Sequence, residues 1–395
     1  MEFVCYTDWD QLPKSANALF EKGEKDSVFL SRPWFESLVA TALDDDHSMV
    51  LACVVARGKV MAMLPLMEYT GVNIWYSLRH GYTPIYSLLI LDDDQEQVLN
   101  CLVQALRELP VKGLLLEPVA DDDSKLIGFQ KLMESAGFNC KNTFRLYNWI
   151  YRLHGQSYAD YMATRPAHLR NTIARKRRKL EREHGFEIRL YTGDEVPQHM
   201  ADYYAVYNAS WKQNELGNAE FLKQFVERFS LVRNSGVRSS GPSSSGACSS
   251  ATISSETISS ETKSSEAGFS RVGWSRLAIL YIKGQPVAAQ LWFVCHGKAS
   301  IFRLAYDKAW RRYSTGSILT SFMMEYVIDT DKVNEIDFLT GNDAYKQDWM
   351  SERRERFLLS CIKIPVPANR LKQFLELLRK KPKNPVKGER LKVKG

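Results

Sequence analysis

Apolar and polar positions alternate along the chain in an order that occurs twice. Residues 48–56 and 60–69 are apolar runs joined by a short polar turn, a pattern typical of two β-strands in a hairpin. Residues 277–282 and 287–295 repeat this pattern, and residues 298–305 continue it as a third strand. The repetition predicts two units of similar construction.

In each half, the predicted strands are followed by a helix, a strand and a further helix. The apolar spacing places these elements at 95–109, 113–119 and 124–136 in the first half, and at 314–328, 335–339 and 345–350 in the second. A strand at 144–153 connects the halves, and a strand at 356–364 closes the second. Because strands and helices interleave, we predict the mixed α/β class, with a mixed β-sheet flanked by helices in each unit.

Composition sets the predicted domain boundaries. Residues 1–150 form the first unit and residues 151–368 the second, and residues 369–395 form a basic tail. Of the 36 residues in 235–270, 15 are serine, which leaves too little apolar surface to offset the entropy of ordering the chain. We therefore predict a disordered insert at 235–270 within the second unit.

The net charge of +7 is concentrated in the tail, where residues 370–395 hold ten Lys or Arg and two Glu. Such a segment attracts anionic lipid or nucleic acid, so peripheral contact with either is one interpretation, and a solvated terminus is the other. No apolar run reaches the roughly 18 residues of a membrane span, so we predict no transmembrane segment. The seven cysteines are scattered and include no Cys-x-x-Cys pair, and the histidines are dispersed. These features favour a reduced, cytoplasmic protein without a metal site.

The strongest chemical signal lies in residues 305–322, where a strand is followed by a basic loop and an amphipathic helix. Arg311 and Arg312, with the exposed N–H groups and dipole of the helix, favour a ligand that carries phosphate. Gly316 permits a close approach to the backbone, and Ser314 or Thr315 is expected to cap the helix. The alternative interpretation is an ordinary capped helix with solvated arginines.

This loop resembles the Arg/Gln-x-x-Gly-x-Gly/Ala loop of the GNAT acetyltransferase superfamily, with serine at the first glycine position. The resemblance implies that the pyrophosphate of coenzyme A binds a set of consecutive residues, namely Arg311, Arg312, Tyr313, Ser314, Thr315, Gly316 and Ser317. Residues 335–349 resemble the Asp-Phe-x-x-Gly-x-x-x-Tyr-Lys-x-x-Trp signature of a tandem-GNAT branch described as BioF2-like or FemAB-like. That branch includes proteins linked to polysaccharide biosynthesis. The aromatic segment 29–34 and the Arg-rich helix 170–182 also agree with it.

In this branch the first unit usually lacks a donor loop. The corresponding residues 75–84 are aromatic and have no basic loop, so we interpret them as a substrate wall or a packing partner. The donor site is therefore expected in the second unit.

Transfer of an acyl group from a thioester to an amine requires a base and a donor for the developing oxyanion. Asp337 or Asp343 is the candidate base, or orients Lys346 instead, and Tyr345 is placed to protonate the leaving thiolate. Lys346 is the candidate for oxyanion stabilisation, a role that the resemblance to Fem-type proteins favours. The alternative for Asp337 is a structural carboxylate that binds backbone N–H groups.

Together these features predict an acyl-CoA-dependent N-acyltransferase that uses acetyl-CoA or another acyl-CoA as co-substrate and no metal. Its acceptor would be a small molecule or glycan precursor, namely an amino sugar or another amine of a cell-envelope or polysaccharide precursor. One alternative is a Fem-type peptidyltransferase that uses aminoacyl-tRNA. Another is a degenerate transferase that acts only as a binding protein.

Overall fold

The computed structural model describes residues 1–43, 46–210, 219–231, 252–253 and 273–363. The basic tail lies outside these residues, and so does the insert 235–270 except at Thr252–Ile253. Elements of the first half follow in chain order: β1 (Glu2–Tyr6), α1 (Asn17–Asp26), α2 (Arg32–Ala42), β2 (His47–Ala56), β3 (Lys59–Tyr69), β4 (Ile74–Ser77), β5 (Leu89–Ile90), α3 (Gln95–Glu108), β6 (Gly113–Val119), α4 (Ser124–Ser135) and β7 (Phe138–Arg152).

The second half repeats this alternation, with two additional helices at its start. Its elements in chain order are α5 (Tyr158–Ala163), α6 (Ala167–His184), β8 (Glu187–Thr192), α7 (Met200–Ala209), α8 (Ala219–Leu231), β9 (Thr252–Ile253), β10 (Ser275–Ile282), β11 (Gln285–Cys295), β12 (Lys298–Tyr306), α9 (Thr315–Asp329), β13 (Glu335–Thr340), α10 (Ala344–Trp349) and β14 (Glu352–Lys363). None of the helices in the described ranges is long and apolar enough to cross a membrane.

The described strands form one mixed sheet that runs through both halves, in the order β1-β2-β3-β4-β6-β14-β7-β13-β12-β11-β10-β8-β9, with β5 on β3. Two neighbouring pairs are parallel, β4 with β6 and β12 with β13. In each half the two parallel strands are joined by a crossover connection, as parallel pairing requires. This connection contains α3 in the first half and α9 in the second. The predicted mixed α/β class with two similar units is confirmed.

The halves join through exchanged strands at the centre of the sheet. β7 ends the first half but pairs with β13, whereas β14 lies between β6 and β7. Both strands begin before their predicted first residues, 144 and 356. The start of β14 is charged and so has no hydrophobic pattern, but its charges pair across the sheet: Arg354 Nη2 lies 2.8 Å from Glu335 Oε2.

Helices cover both faces of the sheet and enclose two apolar clusters. One cluster includes the first half and α7 and α8, and the other lies beneath α5, α6 and α9. Trp34 of the aromatic segment 29–34 is fully buried, with its ring 5.6 Å from Phe221 and 4.9 Å from Phe225 of α8. Because burial of such a side chain contributes about 1.5–3 kcal/mol, this segment ties the first half to the second.

Two residues of the predicted insert lie within the described part of the chain. Thr252–Ile253 form β9, which pairs antiparallel with β8. Two physical reasons favour this pairing. Without β9, β8 would be an edge strand whose unpaired N–H and C=O groups offer a template for another strand. Thr and Ile are also residue types that favour strands.

Candidate functional site

β12 and β13 separate after a short stretch of pairing. Their parallel pairing covers only residues 298–300 against 335–337, and it ends at the pair Ser300 and Asp337. Beyond Asp337 the register of β13 with β7 shifts, and Leu339 adopts the left-handed region with φ of 54°. The opening between the strands therefore begins beside Asp337 and leads towards the C-terminal end of β12.

The loop after β12 and the start of α9 stand at the far end of this opening. Ser314 is left-handed, with φ 54° and ψ 42°, and its side chain makes no capping bond. The expected Ser or Thr cap is thus not formed, because capping requires an extended backbone at that position. The first helical bond of α9 runs from the N–H of Ile318 to Ser314 O, so the N–H groups of Thr315, Gly316 and Ser317 precede it.

Gly316 lies against the ring of Tyr306, and a Cβ at this position would be 3.0 Å from that ring. The buried Gln290 fixes the helix start, since its Nε2 donates to Gly316 O at 3.1 Å and to Thr320 Oγ1 at 2.7 Å. Thr315 is fully buried, and its Oγ1 has no hydrogen-bond partner among the described residues. A buried polar atom without a partner is costly, which marks this helix start as incomplete.

Cationic side chains surround the same loop. Arg311 and Arg312 are exposed. Helix α6 lies beside them, since Lys176 Nζ of this helix donates a hydrogen bond to the carbonyl oxygen of Arg312. Residues 175–179 of α6 are five consecutive Lys or Arg, which gives this side of the molecule a positive potential. Tyr313 differs from the two arginines: it is buried, and its hydroxyl lies 2.7 Å from His184 Nε2 and 2.8 Å from Glu183 Oε2.

Asp337 lies at the near end of the opening. It is the third residue of β13, and its Oδ1 accepts from Asn148 Nδ2 at 2.9 Å and from Leu339 N–H at 2.6 Å. Burial raises the pKa of this carboxyl, an effect that the Leu339 N–H and the Arg356 guanidinium offset only in part. A carboxylate with a raised pKa is better suited to accept a proton than an ordinary aspartate.

Asp337 faces a cleft of about 40 Å³ between the two halves of the molecule. Residues 26–28 and 84–85 of the first half form one wall, so Pro84, at the end of the predicted wall segment 75–84, does line the cleft. The opposite wall is the central sheet, which contributes Asn148 of β7, Ser300 of β12 and Arg356 of β14. This cleft is polar on the sheet side and apolar at residues 84–85.

Lys346 is buried, with 4% of its surface exposed. Its Nζ donates to the carbonyl oxygens of Phe338 at 2.7 Å, Leu339 at 3.3 Å and Thr340 at 2.6 Å. The ammonium group therefore binds carbonyls at the point where β13 changes register, and so it positions the strand that carries Asp337. Oxyanion stabilisation by Lys346 stays a prediction.

Asp343 and Tyr345 are exposed and lie apart from the cleft lining. A Cβ on Gly341 would be 3.2 Å from Asp343 Oδ2 and 3.5 Å from Lys346 Nζ, so those two groups meet at Gly341. Burial of the Tyr345 hydroxyl and the nearby Asp343 carboxylate raise the pKa of Tyr345, which keeps its proton at neutral pH. Of the four predicted catalytic residues, Asp337 thus lines the cleft, whereas Asp343, Tyr345 and Lys346 lie at the start of α10.

Asn148, Gln290 and Arg356 belong to this site and did not emerge from the sequence. Each is a single polar residue within a predicted strand or beside one, which is not a motif. Only the spacing of Glu352, Arg354 and Arg356 at alternate positions could have indicated a charged strand face. Across the described ranges, no group of three or more His, Cys, Asp or Glu side chains is placed to hold a metal ion.

Comparison with known proteins assigns this region to a domain type. Residues 167–236 and 267–347 match the sequence profile of the acetyltransferase (GNAT) domain. No curated protein matches the chain significantly by sequence. The second half thus contains a GNAT-type acetyltransferase domain, and the chain is an enzyme of the acyltransferase class.

Two solved structures are similar to the whole chain. FemX superposes with a TM-score of 0.55 at 9% identity, over 95% of this chain and 100% of its own. The C-terminal domain of an Agrobacterium fabrum protein described as a lysylphosphatidylglycerol synthetase superposes with a TM-score of 0.51 at 12% identity, over 92% of this chain and 96% of its own. At these identities the likeness establishes the fold alone.

Proposed function

We propose that the chain is an acyl-CoA-dependent N-acyltransferase of the tandem-GNAT branch, with acetyl-CoA as its donor. The acceptor is an amine of a cell-envelope or polysaccharide precursor, as the resemblance of residues 335–349 to that branch implies. The observation that carries the proposal is the opening between β12 and β13, which joins the phosphate-type loop at one end to Asp337 at the other.

The residues at the start of α9 fit the phosphate-rich part of coenzyme A. Three N–H groups without helical partners, the helix dipole and two exposed arginines favour an anion there. The buried Thr315 Oγ1 without a partner adds a polar atom that a ligand can satisfy. Gly316 keeps this surface free of a side chain, which lets a pyrophosphate approach the backbone.

The length of β12 separates the two ends of the site. Tyr306, beside Gly316, is the sixth residue after Ser300, which lies beside Asp337, and six steps of an extended strand span about 20 Å. An extended pantetheine arm has a comparable reach, so pyrophosphate at residues 311–317 is compatible with a thioester near Asp337.

The reaction forms a C–N bond and breaks a C–S bond, while one proton leaves the amine and one reaches the sulfur. Asp337 is the proposed base, because its pKa is raised by burial and it faces the cleft. Tyr345 holds its proton at neutral pH and is the proposed acid, which requires the thioester sulfur to lie on the α10 side, outside the cleft lining. Lys346 fixes the strand that positions Asp337.

Aminoacyl-tRNA is the second candidate donor, because α6 places its run of cations directly beside the donor loop. A polyanion would be attracted to this face through release of its counterions. This alternative predicts binding of charged tRNA that weakens steeply with salt.

Isothermal titration of coenzyme A, acetyl-CoA and a charged tRNA into the full-length chain separates these candidates. We expect acetyl-CoA to bind, and Arg311→Ala and Arg312→Ala each to weaken it by about 10- to 100-fold, the size of one charge-assisted hydrogen bond. Arg107→Ala, an exposed arginine on α3, is the matched control and should leave affinity unchanged. Binding of charged tRNA without any binding of coenzyme A would contradict the proposal and favour the second candidate.

A further inference from the structure

Arg356 is a buried charged residue of the cleft lining, and part of its guanidinium has no partner. It is 4% exposed, and among the described residues its hydrogen bond runs from Nη1 to the carbonyl oxygen of Glu355 at 3.0 Å. Its Nε is buried and has no partner within the described part of the chain. A buried guanidinium left in this state is costly, unless a ligand completes it.

The other charged groups of the cleft have partners. Arg354 Nη2 lies 2.8 Å from Glu335 Oε2, and Lys298 Nζ donates to Asp26 O at 2.7 Å. Asp26 also pairs with Lys125 at 2.9 Å. Within the described part of the chain, Lys298, Arg356 and Asp337 are then the charged lining residues without an ion pair. Asp337 and Arg356 still attract each other at a longer distance.

We infer that the acceptor is an amine that also carries a carboxylate, with the carboxylate bound by Arg356 and the amine beside Asp337. This inference rests on the proposed function and names the substrate class of the same site. The charges of Asp337 and Arg356 are complementary to a zwitterion, with the ammonium facing Asp337 and the carboxylate facing Arg356. A neutral amino sugar would leave the guanidinium unsatisfied.

The size of the cleft fits the carboxylate end of this acceptor. Its volume of about 40 Å³ is room for about three water molecules, which a carboxylate group of three heavy atoms replaces. Arg presents a planar fork that binds both oxygens of a carboxylate, whereas Asn148 Nδ2 is already committed to Asp337. Arg356 is thus the residue that determines acceptor specificity, and Asn148 links the two ends of the acceptor site.

With the ammonium of the acceptor beside it, Asp337 also has a role in the reaction. The ammonium loses one proton to Asp337, which passes it to solvent, before the nitrogen attacks. The second proton leaves the nitrogen as the C–N bond forms and the C–S bond breaks, and it balances the proton taken up by the departing sulfur. Binding of the carboxylate at Arg356 holds the amine next to this base, which favours transfer by orientation.

Matched acceptors test the inference on the full-length chain. Glycine, β-alanine and 4-aminobutyrate are compared with glycinamide, β-alaninamide and 4-aminobutanamide, which have the same shape without the negative charge. Acetyl transfer is followed by release of the coenzyme A thiol. We expect kcat/KM of at least one amino acid to exceed that of its amide by about 10- to 100-fold, and Arg356→Gln to bring that ratio close to 1. Arg356→Lys should retain part of the preference.

Arg353→Gln is the matched control, because Arg353 lies on the same strand with its guanidinium over the ring of Tyr147 and outside the cleft lining. It should leave the ratio unchanged. Equal rates for acid and amide in the wild type, or an Arg356→Gln variant that loses both rates equally while it binds coenzyme A normally, would overturn the inference. If coenzyme A does not bind at all, the proposed function fails. Titration of the amino acids and their amides into the chain alone then still tests Arg356.

Discussion

Helices α3 and α9 occupy the same place in the two halves, yet their N-terminal ends carry opposite charge. Each stands in the connection of a parallel strand pair, and each begins at a left-handed residue without a side-chain cap. That residue is Asp94 (φ 53°, ψ 32°) in the first half and Ser314 (φ 54°, ψ 42°) in the second. Three consecutive aspartates end at Asp94, whereas Arg311 and Arg312 precede Ser314.

The two helix ends share a backbone turn but differ in what they can bind. The carboxylates before α3 already stabilise its positive dipole, and Asp92 is held by Lys22 at 2.5 Å. A phosphate would be repelled there. The start of α9 has no such carboxylate and presents arginines instead. The charge of the flanking loop, and not the turn itself, therefore decides whether a helix start is open to an anion.

A second contrast concerns the carboxylates of the central strands. Glu117 of β6 is bound by two guanidinium groups, since Arg79 Nη2 contacts Oε1 and Arg145 Nε lies 2.5 Å from Oε2. Asp337 of β13 has only an amide and a backbone N–H as direct partners. The first half thus neutralises its carboxylate with the protein's own charges, and the second half leaves one exposed to the cleft.

Replacing each of these two carboxylates by its amide tests the difference between them. Asp337→Asn should lower turnover by about 100-fold or more, the usual effect of losing a general base, and leave acetyl-CoA affinity unchanged. Glu117→Gln should leave turnover largely intact and cost about 1–3 kcal/mol of stability, because Arg79 and Arg145 lose their charged partner. Rates at saturating donor and thermal unfolding of both variants give the comparison.

The pH dependence of stability follows from the raised pKa of Asp337. The folded state holds this proton more tightly than the unfolded state, whose pKa is about 3.9, so the contribution of Asp337 to stability falls as pH rises from that value through the raised one. Asp337→Asn should therefore unfold at an equal or higher temperature than wild type at pH 7, and lose this advantage near pH 3. A clear loss of stability at pH 7 would identify Asp337 as a structural carboxylate.

The second test concerns the surface at the start of α9. Gly316→Val should weaken coenzyme A binding by about 10-fold or more, because a Cβ here already lies 3.0 Å from the Tyr306 ring and the added methyl groups occupy the phosphate approach. Gly128→Val on α4 is the control from the first half, where a Cβ would have an ordinary contact of 3.6 Å with Leu99. Equal coenzyme A affinity for wild type and Gly316→Val, measured by titration, would remove the donor assignment.

The sequence predicted most elements of this fold because their apolar periodicity is local. Strand β6 and the hairpins were located from short windows, and the loop before α9 from its charges and glycine. The cleft could not be predicted in the same way. Asn148 and Arg356 are about 200 residues apart, and only the insertion of β14 beside β7 brings them to one wall. The left-handed Ser314 also gave no signal, because serine rarely adopts this conformation.

We expect the left-handed turn that precedes both α3 and α9 to be strained, with a small effect on the unfolding temperature. A residue with a Cβ loses about 1 kcal/mol in this conformation relative to glycine, which adopts it freely. Ser314→Gly should therefore raise the unfolding temperature by about 1–3 °C. Asp94→Gly should gain less, since it also removes a carboxylate that stabilises the start of α3. Ser317→Gly is the matched control within α9: its backbone is helical, so glycine should lower stability by about 0.5–1 kcal/mol. If Ser314→Gly and Ser317→Gly lower the unfolding temperature equally, then the turn at Ser314 is not strained.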